Sequence, residues 1–110
     1  MECLRGNHIR QCRCCDKSGP GTVGAGHNVE FVRSSPYMST LPTGLKLTRE
    51  AAHPNLGLTF DFYNFWSGLN KFEDMDEIRP GEIRHVHFQD VPDIPRELLD
   101  QTSRIIPGDE

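Results

Sequence analysis

Two carboxylates and one imidazole are the side chains whose types and spacing best suit chemistry. Glu30, Asp61 and His87 recur at intervals of about 30 residues, the length of one βα unit. Each lies near the carboxyl end of a short apolar segment typical of a β-strand. A glutamate, an aspartate and an imidazole brought together suit a hard or borderline divalent cation such as Mn²⁺, Mg²⁺, Co²⁺ or Zn²⁺.

Alternation within the predicted strands would point these three side chains in one direction. Successive side chains of a strand face opposite sides, so each predicted strand has one apolar face and one polar or small face. The strands are predicted at 29–32, 56–62 and 83–88, with Glu30, Asp61 and both His85 and His87 on the polar faces. The apolar faces would pack on helices, and the polar faces would converge where parallel α/β folds build their sites.

The remaining segments supply the connections that parallel strands require. Helices are predicted at 44–52, 72–78 and 95–101, and loops at 33–43 and after Asp61. The resulting order alternates strand and helix three times, which is typical of parallel strands joined by right-handed crossovers. The predicted fold class is therefore α/β.

A more ordinary interpretation of the three residues stays open at this point. Asp61 could cap a loop, Glu30 could form a surface salt bridge, and His87 could be a hydrogen-bonded histidine in a core. Their spacing alone does not separate this interpretation from a metal site.

The amino-terminal 26 residues differ from the rest in composition. Up to Ala25 there are four Lys or Arg against two Asp or Glu, and after it eight against fourteen. All four cysteines lie in this segment, without the C-x2-C spacing of a zinc site, so we interpret residues 1–26 as a disordered leader with reduced thiols. Reduced thiols are typical of a cytoplasmic protein. We expect residues 27–110 to form the folded domain.

Length, charge and hydropathy exclude several classes of function. A chain of 110 residues with 35% hydrophobic residues can bury one modest core. No apolar run approaches the roughly 20 residues of a membrane-spanning helix, so no membrane partner is expected. A net charge of −4 argues against nucleic acid, because phosphate-binding surfaces are normally basic.

Three blocks of sequence carry a more specific pattern. They read HPNLGLTFDFYNFW at 53–66, IRHVHFQD at 83–90 and SRIIPGD at 103–109. In this order and spacing they resemble the sugar phosphate isomerase/epimerase family, which has the xylose isomerase-like TIM barrel. The resemblance implies a partial (β/α) TIM barrel of about three βα units from the carboxy-terminal half, acting in carbohydrate metabolism.

Roles for individual residues follow from this resemblance. Glu30 resembles the first metal ligand, which also moves a proton on the substrate carbon, and Asp61 and His87 resemble further ligands. Arg104 resembles a residue that contacts substrate oxygens. Asn64 and Trp66 are further candidates for substrate contacts, and Trp66 with its aromatic neighbours could wall a sugar pocket. The implied function is a divalent-metal-dependent isomerase or epimerase that abstracts a proton beside the carbonyl of a sugar or sugar acid.

Two departures from the family pattern keep alternatives open. Asn64 stands where the family usually has a histidine, and an amide cannot shuttle a proton near neutral pH. The family's second glutamate, borne on its last strand, has no counterpart, since Glu110 is not at the matching position. A non-catalytic, truncated remnant of the family is therefore the alternative, and a nuclease similar to endonuclease IV is a third, less favoured possibility.

An incomplete barrel would also leave strand edges without partners. Unpaired backbone groups at such edges promote association between chains. We expect the isolated chain to self-associate or to be unstable. A monodisperse monomer with cooperative thermal unfolding, measured by light scattering and circular dichroism, would contradict this expectation.

Overall fold

The computed structural model describes residues 26–109, in which three parallel strands form one sheet. The strands are β1 (His27–Glu30), β2 (Leu56–Asp61) and β3 (Ile83–His87), and they lie in the order β1-β2-β3. The central strand pairs with both neighbours in parallel register, so all three carboxyl ends meet at one edge of the sheet. The predicted α/β class and parallel topology are confirmed, and the predicted leader lies outside the described residues.

The longest helix forms the first crossover. Helix α1 (Leu41–Ala51) has a proline within its first turn, where the missing N–H costs no hydrogen bond, and ends at Ala52 in a left-handed conformation. It begins three residues earlier than the sequence predicts, because Pro42 suits a first helical turn rather than a loop. Pro54 then prevents the helix from continuing.

The core lies between α1 and the apolar face of β2. Leu58 and Phe60 alternate with polar residues along the strand, as predicted, and Leu58 packs against α1 at Gly44. A side-chain carbon at Gly44 would lie only 2.8 Å from Leu58 Cδ1, so the glycine allows the helix to approach the sheet closely. The other fully buried members of this cluster are Phe31, Leu41 and Leu45.

Three of the predicted segments differ in the structure. The segment after Asp61 forms a helix, α2 (Phe62–Ser67), where the sequence predicts a loop. The segments predicted as helices at 72–78 and 95–101 are instead 3₁₀ turns, Phe72–Glu77 and Arg96–Leu98.

A bulge in β3 changes the face of the sheet on which its first residue, Ile83, lies. Leu58 pairs with Ile83 but Thr59 pairs with His85, so Arg84 is an extra residue on β3. Strict alternation would place Ile83 on the same face as His85 and His87. The bulge instead turns Ile83 toward the apolar core, against which it packs.

The arginine at this bulge lies directly over a glycine of the central strand. A side-chain carbon on Gly57 would lie 2.5 Å from Arg84 Cγ and 3.0 Å from Arg84 Cβ. Arg84 Nη2 donates a hydrogen bond of 2.6 Å to the carbonyl oxygen of Pro54. Gly57 therefore leaves the space that the Arg84 side chain needs to reach the amino-terminal end of the sheet.

A salt bridge ties α1 to the start of β3. Arg49 Nε and Nη2 bind the two carboxylate oxygens of Glu82 at 2.6 and 2.9 Å. This pairing, with a further hydrogen bond from the Arg79 amide, lowers the pKa of Glu82 to about 2. The crossover helix is thus fixed to the sheet at the end opposite the converging carboxyl termini.

None of the helices within residues 26–109 combines the length and the apolar character that a membrane-spanning helix needs.

Substituting Gly57 tests whether Arg84 needs this space. Gly57→Ala should lower the free energy of unfolding by roughly 1–3 kcal/mol, because the added methyl overpacks against the Arg84 stem. In an Arg84→Ala background the same substitution should cost less, since Cγ and Cδ are gone and only the contact with Cβ remains. Chemical denaturation of the four proteins measures the coupling. Equal costs in both backgrounds would contradict the contact.

Candidate metal centre

The three residues predicted as a site converge at the carboxyl edge of the sheet. Asp61 pairs directly with His87 across β2 and β3, and Glu30 ends β1 beside Thr59. One ligand atom from each residue lies within 4.8 Å of the others. His87 Nδ1 lies 3.4 Å from both Glu30 Oε1 and Asp61 Oδ2. Among the described residues, no fourth His, Cys, Asp or Glu joins this cluster.

Asp61 is the most constrained of the three. Its side chain is fully buried, and both carboxylate oxygens have a donor. Oδ1 accepts the Asn64 backbone N–H at 2.7 Å as the amino-terminal cap of α2, and Oδ2 accepts Arg104 Nη1 at 2.9 Å. Burial acts to raise the pKa of Asp61, but the Asn64 amide and the Arg104 guanidinium outweigh it and lower that pKa.

Glu30 is in a different electrostatic position. Partial burial, together with the neighbouring Asp61 carboxylate, raises the pKa of Glu30 above its ordinary value. Asn64 Nδ2 donates a hydrogen bond of 3.2 Å to Glu30 Oε1, and Asn64 Oδ1 accepts the Arg33 backbone N–H at 3.2 Å. Asn64 therefore orients the glutamate, and the amide is held in turn by the loop that follows β1.

Arg104 reaches Asp61 from the carboxy-terminal loop. Its Nη1 also donates to Gln89 Oε1, and its Nη2 donates to Gln101 Oε1 at 3.2 Å. The guanidinium carbon lies 4.5 Å from the centroid of the Tyr63 ring, a cation–π arrangement. A two-way backbone pairing between Asp90 and Ile105 holds the loop against the segment after β3.

Not every predicted site residue lies in this cluster. Asn64 and Arg104 contact the carboxylates directly, whereas Trp66 lies two residues beyond Asn64 and thus on the opposite side of α2. Trp66 contacts Phe72 and Arg96 instead. Gln89 is a neighbour that the sequence analysis missed. It lies two residues after His87, so continued alternation beyond the strand could have indicated it.

The donor set fits a divalent cation. Two carboxylates and one imidazole are ligands that Mn²⁺, Co²⁺ and Zn²⁺ accept, and three protein ligands leave open positions for water or substrate. Donors that bind one ion at about 2.1 Å lie at most about 4.2 Å apart. Small side-chain rotations would therefore bring the three atoms into range. The assignment of Glu30, Asp61 and His87 as ligands remains a prediction.

A solved structure shares this fold. The crystal structure of the IOLI protein with a bound zinc atom matches with a TM-score of 0.68 at 23% sequence identity, over 76% of this chain and 30% of that chain. The IOLI protein is a TIM barrel, so the sheet and its helices are part of a TIM barrel, as predicted.

A curated relative supports the same family. The 3-dehydroshikimate dehydratase of Bacillus anthracis is 40% identical over 53 residues, which are 47% of this chain and 19% of the dehydratase. No protein-family model matches the chain. The chain thus spans less than a third of the length of either relative. Together the two comparisons confirm the predicted resemblance to the xylose isomerase-like barrel family over part of the chain.

Removing Arg104 tests how strongly its charge opposes a cation at Asp61. Arg104→Met should tighten Mn²⁺ binding about tenfold, because the guanidinium and the cation compete for Asp61 Oδ2. The same variant should be less stable without added metal, since a buried carboxylate loses its partner. Isothermal titration calorimetry measures the affinity, and thermal unfolding measures the stability.

Lys46→Met is the matched control, because it removes one positive charge from the exposed face of α1. Binding of Mn²⁺ should be unchanged in this control. Unchanged or weaker binding by Arg104→Met would show that the two cations do not compete.

Proposed function

We propose that this chain, which resembles the xylose isomerase-like barrel family over part of its length, carries the metal site of a sugar-modifying enzyme. The observation behind the proposal is the convergence of Glu30, Asp61 and His87 at the carboxyl ends of three adjacent parallel strands. Parallel barrels build their active sites at this edge. The proposed substrate is a small sugar or sugar acid, and the proposed cofactor is Mn²⁺, Mg²⁺, Co²⁺ or Zn²⁺.

The proposed chemistry begins with removal of a proton beside a carbonyl. Glu30 accepts this proton. The hydrogen bond from Asn64 Nδ2 to Glu30 Oε1 orients the Glu30 carboxylate. Asp61 and His87 hold the cation with Glu30. A divalent cation, when bound, would polarise the substrate carbonyl and stabilise the enediolate. Arg104 would bind a substrate oxygen, for which it has donors beyond the one on Asp61.

The fate of the enediolate separates isomerases and epimerases from a second candidate, a dehydratase. Returning the proton to a carbon gives an isomer or epimer, whereas expelling a neighbouring hydroxyl gives a dehydrated product. The similarity of this chain to the 3-dehydroshikimate dehydratase of Bacillus anthracis favours the second outcome. Exchange of the α-proton with solvent deuterium is common to both reactions. Release of water with the appearance of a conjugated carbonyl absorbance would identify the dehydratase.

A non-catalytic protein that retains the fold is the remaining alternative. The implied second glutamate ligand has no counterpart among the described residues that form the cluster. Cation binding without exchange of any α-proton in candidate substrates would favour this alternative. The nuclease possibility is not supported by either relative.

Self-association remains a proposal that the exposed surfaces support. The apolar face of β3 is covered only in part, since the side chains of Val86 and Phe88 are 47% and 64% exposed. In the described chain, β1 and β3 each pair with β2 alone, so each has a free edge. A second chain could cover both features.

Mn²⁺ titration of two ligand variants tests the metal site. Asp61→Ala and His87→Ala should each weaken binding at least tenfold, because each removes one donor of three. His85→Ala is the matched control, since this imidazole lies against the His87 ring at 5.0 Å without joining the cluster. Calorimetry measures the affinity.

Circular dichroism should accompany these titrations, because Asp61 also caps α2. His87→Ala is the cleaner variant, since no helix cap depends on that imidazole. Equal Mn²⁺ affinity in the wild type and all three variants would contradict the proposed metal site.

A further inference from the structure

We propose that a surface groove is an oxyanion-binding site built on Arg33 and Arg96. The groove lies at the carboxyl end of α2, has a volume of about 440 Å³, and is lined chiefly by Arg33, Arg96, Asn70, Ser67 and Glu97. Its ligand would be a phosphate or carboxylate group. Guanidinium groups are the side chains best suited to such ligands, because their parallel donors match two oxygens of one anion.

Neither guanidinium group has an acidic partner in the described chain, unlike those of Arg49 and Arg104. Arg49 is paired with Glu82 and Arg104 with Asp61. Within residues 26–109, neither Arg33 nor Arg96 forms a salt bridge, so the groove has two guanidinium charges against the single carboxylate of Glu97. An anion that enters the groove would neutralise them.

Arg33 also has a buried donor without an acceptor. Its Nη1 atom is the one buried side-chain nitrogen or oxygen in the described chain that makes no hydrogen bond. A buried unsatisfied donor is costly, and native proteins rarely leave one without a reason. An oxyanion would supply the missing acceptor once the guanidinium rotates to turn Nη1 toward the groove.

The other side chains of the groove that can donate hydrogen bonds are already engaged. Asn70 Oδ1 accepts the Leu41 backbone N–H at 2.7 Å, and Asn70 Nδ2 donates to the carbonyl oxygens of Asn64 and Phe65. Ser67 Oγ donates to the Tyr63 carbonyl at 2.5 Å. Free donor capacity in the groove therefore belongs to the two arginines, which selects for charge rather than for a neutral hydroxyl.

The groove is connected to the metal cluster through one residue. Arg33 N donates to Asn64 Oδ1, and Asn64 Nδ2 donates to Glu30 Oε1. That the anionic group belongs to a substrate of the metal site rests on the proposed function, whereas binding of a free anion does not.

Glu97 is the one carboxylate that lines the groove, and substituting it tests whether the ligand is negatively charged. It forms no salt bridge with either arginine in the described chain, so its charge opposes an incoming anion. Removing this charge should strengthen anion binding. Removing Arg33 or Arg96 should weaken it.

The single tryptophan reports on this groove. The guanidinium carbon of Arg96 lies 4.7 Å from the centroid of the Trp66 ring, so an anion that draws Arg96 away would change the fluorescence of Trp66. Titration with inorganic phosphate, against sodium chloride at equal ionic strength, should give a saturable change. A change that does not saturate, or that chloride reproduces, would overturn the proposal.

Four variants determine where phosphate binds. Arg33→Gln and Arg96→Gln should each weaken phosphate binding at least tenfold, and Glu97→Gln should tighten it about threefold. Lys46→Gln is the matched control for net charge and should bind as the wild type does. Calorimetry measures all of them, since Arg96→Gln alters the fluorescence reporter itself. If Arg33→Gln does not fold, Arg96→Gln and Glu97→Gln still test the proposal, because both residues are exposed.

Two further comparisons identify the ligand class and separate this proposal from the metal site. Glucose 6-phosphate and glucuronate should bind more tightly than neutral glucose, and their relative affinities show whether phosphate or carboxylate is preferred. Equal affinity for all three would overturn an anion site. His87→Ala should retain phosphate binding although its Mn²⁺ binding is weakened, so failure of one site leaves the other measurable.

Discussion

A buried carboxylate at the end of the central strand is the constraint on which the rest of this structure depends. Asp61 is fully buried, and an ionised carboxylate without partners in such a place would be strongly destabilising. Its Oδ1 accepts a hydrogen bond from the amino-terminal turn of α2, and its Oδ2 accepts one from Arg104. One side chain therefore fixes where a helix starts and where a distant loop docks, and it does so at the edge where β1 and β3 deliver Glu30 and His87.

The same constraint joins fold and chemistry. Because both oxygens of Asp61 are engaged, a cation shared with Glu30 and His87 has to compete with a guanidinium already in place. Asn64 links the cluster to the loop after β1, and that loop presents Arg33 to the neighbouring groove. The cation site and the anion site would thus be linked through the hydrogen bonds of one amide side chain.

Alternation and spacing were sufficient to predict the sheet and to make Glu30, Asp61 and His87 candidates, whereas the choice of His87 over His85 came from the family resemblance. The apolar runs around Leu58 and Val86 define strands, and two-residue periodicity then assigns Asp61 and His87 to a common face. The bulge at Arg84 could not be predicted in this way, because it depends on the space above Gly57 on a neighbouring strand. Helix α2 was missed because its start depends on the Asp61 cap, and its aromatic residues indicate a loop wall as readily as a helix.

The sequence by itself determined which residues could form a metal site, since strand periodicity and βα spacing are local properties written in residue order. Only the tertiary structure decided which other side chains lie near them and which do not. Arg104 lies on Asp61, Trp66 faces Arg96 rather than the cluster, and Arg33 and Arg96 meet in one groove. These contacts join segments far apart in the chain, and they depend on how loops pack over the sheet, which no local pattern encodes.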